Sequence, residues 1–139
     1  MATDPVTDEV VALLARIVDR FVTSYESAAA AQGLTTVQAK VLVALEEPLP
    51  MHRIADKLKS ERSNVTGIID RLEARGLVER RAAEHDRRVK NIVATDEGRK
   101  LARNFQLALG FAAEPLATLG SGDRVRLRDL LSRIVDGEA

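Results

Sequence analysis

The 139-residue sequence has no cysteine and no tryptophan, and only one tyrosine. Without cysteine there is no disulfide, no thiolate metal site and no thiol redox sensor. That fits a reducing compartment, and the cytoplasm is the expected location. No apolar run approaches the roughly 18–20 residues that a membrane span needs. The opening MATDPVTDEV is acidic, without the basic-then-apolar pattern of a secretory signal. There is no Gly-rich phosphate loop, no Cys/His pair and no zinc-spaced pair of histidines. His52 and His85 are the only histidines, and no ligand cluster surrounds either. No enzymatic activity, metal or cofactor is expected.

Net charge is also lacking, with 21 Lys and Arg against 21 Asp and Glu, but its distribution is uneven. Residues 1–50 hold 3 basic and 7 acidic side chains, residues 51–100 hold 13 and 9, and residues 101–139 hold 5 and 5. The middle segment is therefore basic, and a basic face attracts phosphate whatever the total charge.

Apolar periodicity organises the chain. From Pro5 to Gln32 it is helical, with Val10, Leu13, Leu14, Ile17, Val18, Phe21 and Tyr25 on one wide stripe. Asp4 is the expected cap and Gly33 the stop. Thr35 and Gln38 form a capping-box pattern at the start of a second helix, which must end before Pro48. "PLPM" (48–51) is extended, since its prolines exclude helix. A short helix over His52–Lys59 and a longer one from Ser60 to Arg75 follow, with Gly76 as the stop. The period then changes: Leu77–Arg81 and Val89–Ala94 read as two strands around a polar turn. Thr95 caps a further helix, "DEGRKLARNFQLALGFAA", and a last helix starts near Ser121.

Two short helices joined by a tight turn make a helix-turn-helix, whose second helix can enter a major groove. With Val65, Ile68, Ile69 and Leu72 centred on its buried side, that helix turns Ser60, Ser63, Thr66, Gly67, Asp70, Arg71 and Ala74 outward. Small hydrogen-bonding side chains near its N-terminus suit close approach to base edges and phosphate. Gly67 sacrifices about 1 kcal/mol of helix propensity, which close backbone approach to DNA would explain. The hairpin that follows makes this a winged helix, mainly α with a small β-hairpin wing. Its tip, "AAEHDRR", carries Asp86, Arg87 and Arg88. Arginine there suits a narrow minor groove, and Asp86 is placed to hold the Arg88 guanidinium in one orientation.

The residues from Leu34 to about Leu101 resemble the MarR-type transcriptional regulators, in register and without gaps. "LTTVQAKVLVAL" is similar to the family's second helix, and "RIADKLKSERSNVTGIIDRLEARGLVERR" to its helix-turn-helix and first wing strand. "DRRVKNIVATDEGRKL" is similar to its wing signature, whose Asp and Arg fall on Asp86 and Arg88. Ala94 stands where the family often has Leu before the capping Thr, and Gly67 where it often has a basic side chain. Arg62, Ser63, Asn64 and Thr66 are then the expected base readers. Arg62, Arg71, Arg75, Arg87 and Lys90 are the expected phosphate contacts.

The resemblance implies a homodimer, with residues 1–33 and 101–139 as dimerisation helices around a DNA-binding region at 34–100. The apolar stripes of Val10, Leu13, Leu14 and Ile17, and of Leu127, Leu130, Leu131 and Ile134, are the expected interface. It also implies double-stranded DNA with a pseudo-palindromic operator as partner, repression as the output, and a small aromatic or phenolic effector. Tyr25 and His52 are read as packing or surface residues rather than effector ligands. A winged helix used as a protein-interaction adaptor is the alternative.

Overall fold

The computed structural model describes residues 2–59, 62–109 and 115–137. Helix α1 (Pro5–Ala31) starts where the Asp4 carboxylate accepts the backbone N–H groups of Val6 and Thr7, each at 3.0 Å. The Thr7 hydroxyl and these N–H groups hold the Asp4 carboxyl below the usual carboxylate range. Only the C-terminal end of α1 is buried, at Ala28 and Ala29. Gly33, at φ 67°, closes it in a Schellman turn: the Gly33 N–H donates to Ala30 and the Leu34 N–H to Ala29. Helix α2 (Thr36–Ala44) begins with the expected capping box. The Thr35 hydroxyl accepts from the Gln38 N–H at 3.1 Å, and the Gln38 side chain accepts from the Thr35 N–H at 3.0 Å.

The remaining elements are β1 (Leu49–Pro50), α3 (Met51–Leu58), α4 (Arg62–Ala74), β2 (Val78–Ala82), β3 (Lys90–Ala94), α5 (Asp96–Ala108), a 3₁₀ turn over Leu116–Thr118, and α6 (Ser121–Asp136). The sheet is antiparallel in the order β1–β3–β2. It has three strands where the sequence pattern predicted two, because the extended Leu49 and Pro50 pair with Ile92 and Asn91 of β3. A two-residue strand carries no alternation to read, and its proline is tolerated because β1 lies at the sheet edge. Both wing strands begin one residue later than the sequence pattern suggests. Helix α5 stops at Ala108, short of the Ala113 that continuous periodicity implied.

Ile54, Val65, Ile69, Leu72, Val41, Val78, Ile92 and Phe105 are fully buried, and no described polar or charged residue is buried with them. Helix α3 packs on α4, and α2 on α5. Apolar burial at about 25 cal/mol per Å² therefore dominates the stability of this unit. The chain divides after Ala108 into two units. In the first, Ala102 and Phe105 of α5 are buried. In the second, α6 and the 3₁₀ turn border an apolar groove of about 460 Å³ lined by Leu116, Leu127, Leu131 and Val135. Among the described residues, no helix is long and apolar enough to cross a membrane.

Candidate nucleic-acid interface

Helices α3 and α4 are joined through Lys59, the one described non-glycine residue with positive φ (52°). This left-handed residue ends α3 abruptly and lets the chain turn into α4. Val65, Ile69 and Leu72 anchor α4 in the core, each at 0% exposure. Asn64, Thr66, Asp70 and Arg71 face outward, and Gly67 and Ile68 are half-buried. Ser60 lies outside the described residues, as do the side chains of Arg62 and Ser63. Thr66, Asp70, Arg71 and Ala74 thus lie on the outward face that the helical period assigned, whereas Gly67, assigned outward, and Ile68, assigned inward, are both half-buried.

A Cβ added at Gly67 would meet nothing within 4 Å. The packing of the chain therefore gives no reason for glycine there, while mid-helix glycine costs about 1 kcal/mol against alanine. Gly67→Ala is expected to stabilise the protein by about 0.5–1 kcal/mol in denaturant titration. The same variant should bind DNA at least several-fold more weakly, since a methyl group would hold the backbone off the bases. Stronger or unchanged DNA binding would remove the groove-facing role of this position.

At its C-terminal end α4 closes on Gly76 (φ 74°), with the Gly76 N–H on Glu73 and the Leu77 N–H on Leu72. Leu77 leads directly into β2, so α4 and the wing are consecutive in the chain. The wing strands pair from Val78↔Ala94 to Ala82↔Lys90. Beyond them the Ala83 N–H donates to Val89 and the Val89 N–H to Asp86, closing a turn with Arg87 and Arg88 at its centre. Asp86 Oδ1 accepts the Arg88 backbone N–H at 3.0 Å and its Nε–H at 3.3 Å. Such Asx contacts are what favour aspartate at the first position of a turn. The result is a guanidinium that is locally oriented yet 92% exposed in its side chain, beside an Asp86 at 35%. Arg87 and Lys90 are exposed as well.

Two side chains take roles that the sequence did not display. Arg75, expected on phosphate, donates from Nη1 to the Gly33 carbonyl at 2.8 Å and so ties the end of α4 to the turn after α1. Asp70 is paired with Arg80 of β2, whose other guanidinium nitrogen lies 3.7 Å from Glu73. Tyr25 packs against Phe21 (ring centroids 4.7 Å) and Phe105 (5.5 Å), with the Lys40 ammonium 5.4 Å above its ring. Tyr25 is thereby a packing residue, as its position in the α1 stripe suggested. His52 and His85 are exposed, and among the described residues no group of three acidic or histidine side chains could hold a metal.

The MarR family model matches residues 34–90, which span α2 through the wing. Over these residues the chain is similar to the MarR family. It is 28% identical over 137 residues to the HTH-type transcriptional repressor NicR of Pseudomonas putida, covering 96% of this chain and 86% of that one. It is 40% identical over 70 residues to the HTH-type transcriptional regulator YfiV of Bacillus subtilis, covering 49% of this chain and 44% of that one. The match thus spans less than half of YfiV. Among solved structures, CouR of Rhodococcus jostii RHA1, bound to p-coumaroyl-CoA, is 28% identical with a TM-score of 0.77 over 95% of each chain. Proteins of the MarR family are DNA-binding transcriptional regulators and not enzymes.

Proposed function

We propose that this chain, similar to the MarR family over residues 34–90, is a sequence-specific DNA-binding transcriptional regulator, a repressor that sits as a homodimer on a pseudo-palindromic operator. One observation carries the reading. A helix with an outward polar face runs without a linker into a wing whose exposed arginine is oriented by its own aspartate. In this reading Asn64 and Thr66, with Ser60, Arg62 and Ser63 ahead of them, meet base edges in the major groove. Gly67 permits the close approach, and Arg71, Arg87 and Lys90 contact phosphate. Arg88 reaches the adjacent minor groove.

A second copy of the chain is the partner best suited to the terminal helices. Val10, Leu13, Leu14 and Ile17 of α1, and Leu130, Leu131 and Ile134 of α6, are all exposed in the single chain. Leu127, half-buried, lines the groove beside α6. Apolar stripes of this extent favour burial against another chain. A two-fold dimer presents its recognition helices about 34–36 Å apart, one turn of DNA. The similarity to the repressor NicR supports repression, and the similarity to CouR, solved with p-coumaroyl-CoA bound, supports an effector that carries an aromatic or phenolic group. The cytoplasm is the compartment that action on DNA would call for.

An adaptor would draw on Asp70, an acidic residue in the recognition face, and on the modest positive balance of the middle segment; the pairing of Asp70 with Arg80 weakens the first of these. Salt dependence separates the two readings. Binding of the dimer to duplex DNA should weaken linearly on a log–log plot, by about 0.9 per phosphate contact. Negligible DNA binding at physiological salt would favour the adaptor.

A further inference from the structure

Arg80 stands apart from the other charged residues of the wing. The other ion pairs of the described residues join side chains no more than three positions apart: Glu79–Arg81, Asp86–Arg88, Asp96–Arg99, Asp123–Arg126 and Arg128–Asp129. Arg80, on β2, instead reaches α4. Its Nη2 binds Asp70 and its Nη1 lies 3.7 Å from Glu73, one helical turn further on. Its side chain is 35% exposed, the least of the ion-paired arginines, so the guanidinium is partly shielded by the elements it joins. A planar guanidinium can engage two carboxylates in a fixed geometry, which a lysine ammonium cannot.

From this bridge we propose that Arg80 is a positioning residue: it sets the angle between the recognition helix and the wing by spanning Asp70 and Glu73. The inference rests on the DNA-binding reading above. Arg80 pairs with Ile92 within the sheet, two residues before β2 ends at Ala82 and the chain enters the turn that carries Arg88. The clamp therefore acts on the strand that carries the wing tip. It also offsets part of the negative charge of two carboxylates that would otherwise oppose approaching phosphates. An exposed pair of this kind contributes little to global stability. Its effect is on register. Groove contacts and the wing arginine engage one operator together at lower entropic cost when their relative position is fixed before binding.

The clamp and a merely charged surface predict different results when the carboxylates are removed. The test measures affinity for an operator duplex, recovered by selection from genomic DNA, and for a scrambled duplex of equal length. Asp70→Asn/Glu73→Gln should bind the scrambled duplex more tightly than the wild type, because two negative charges are gone. Its preference for the operator should nevertheless fall about tenfold. Arg80→Met should lose a similar preference while binding the scrambled duplex no more tightly. Arg80→Lys, which keeps the charge without the fork, should resemble Arg80→Met and replaces it if that variant does not fold. Wild-type preference in the carboxylate variant or in either Arg80 variant would overturn the clamp. A wild-type protein without any preference for the operator would contradict the DNA-binding reading itself, which keeps the two failures apart.

Discussion

Replacing Gly98 with alanine is expected to destabilise the protein by about 2–3 kcal/mol, the upper part of the range for overpacked sites. Gly98 lies in the first turn of α5, where a Cβ would fall 2.1 Å from the Leu77 carbonyl oxygen and 3.1 Å from its carbon. The obstacle is backbone, so no side-chain rotation relieves it. The Leu77 carbonyl cannot retreat freely, because it accepts the Thr95 N–H at 3.0 Å. Thr95 is fixed in turn: its hydroxyl donates to the Gly76 carbonyl at 2.7 Å and accepts the Gly98 N–H at 3.1 Å. Alanine therefore has to separate α5 from the junction of α4 and β2, breaking this cap or opening the core around Leu42. Against a total stability of about 5–15 kcal/mol, that is a large fraction. A denaturant midpoint shifted down at constant m-value is the expected result; an unchanged midpoint would mean that the contact is not as close as described. The same substitution at Gly67 is expected to act with the opposite sign. The contrast makes the pair informative, since helix propensity alone predicts a gain at both positions.

Arg88→Ala is expected to weaken operator binding at least tenfold, about 1.4 kcal/mol, without altering stability measurably. The second half of that statement follows from where the side chain is. Its guanidinium is in solvent and its only described partner is Asp86, two residues away. Surface substitutions of this kind usually change stability by no more than about 0.5 kcal/mol. The turn persists, because the backbone N–H of residue 88 still donates to Asp86. Any loss of affinity then belongs to the contact with DNA. An arginine whose orientation is set beforehand loses less entropy on entering a narrow, strongly negative groove. Binding equal to wild type would remove the wing tip from recognition and leave α4 alone.

Much of this architecture was legible because it is local. The Asp4 cap, the Thr35–Gln38 box and the Gly33 and Gly76 stops depend on residues within one or two turns of each other. The Asp86–Arg88 contact was legible for the same reason, being two residues long. The "TDEG" start of α5 was visible as a motif, but its reason was not. Gly98 answers to the Leu77 carbonyl, which lies 21 positions earlier. The pairing of Leu49–Pro50 with β3 escaped notice because two residues cannot display a period. Arg75 read as a phosphate contact because its charge is visible in the sequence, whereas the Gly33 carbonyl that engages it is 42 positions away. Arg80 was missed as well. An arginine ten residues after an aspartate, across a glycine stop, is a weak signal until the strand folds back beside the helix.

In the proposed function the recognition helix and the wing together recognise a DNA sequence. The most direct test of this is to incubate the purified protein with sheared DNA from its own genome at about 0.15 M salt, then recover and sequence the bound fragments. Enrichment of one or a few pseudo-palindromic sites, abolished in a parallel selection with Arg88→Ala, is the predicted result. Fragments recovered in proportion to their abundance, or the same sites recovered equally by the variant, would contradict it.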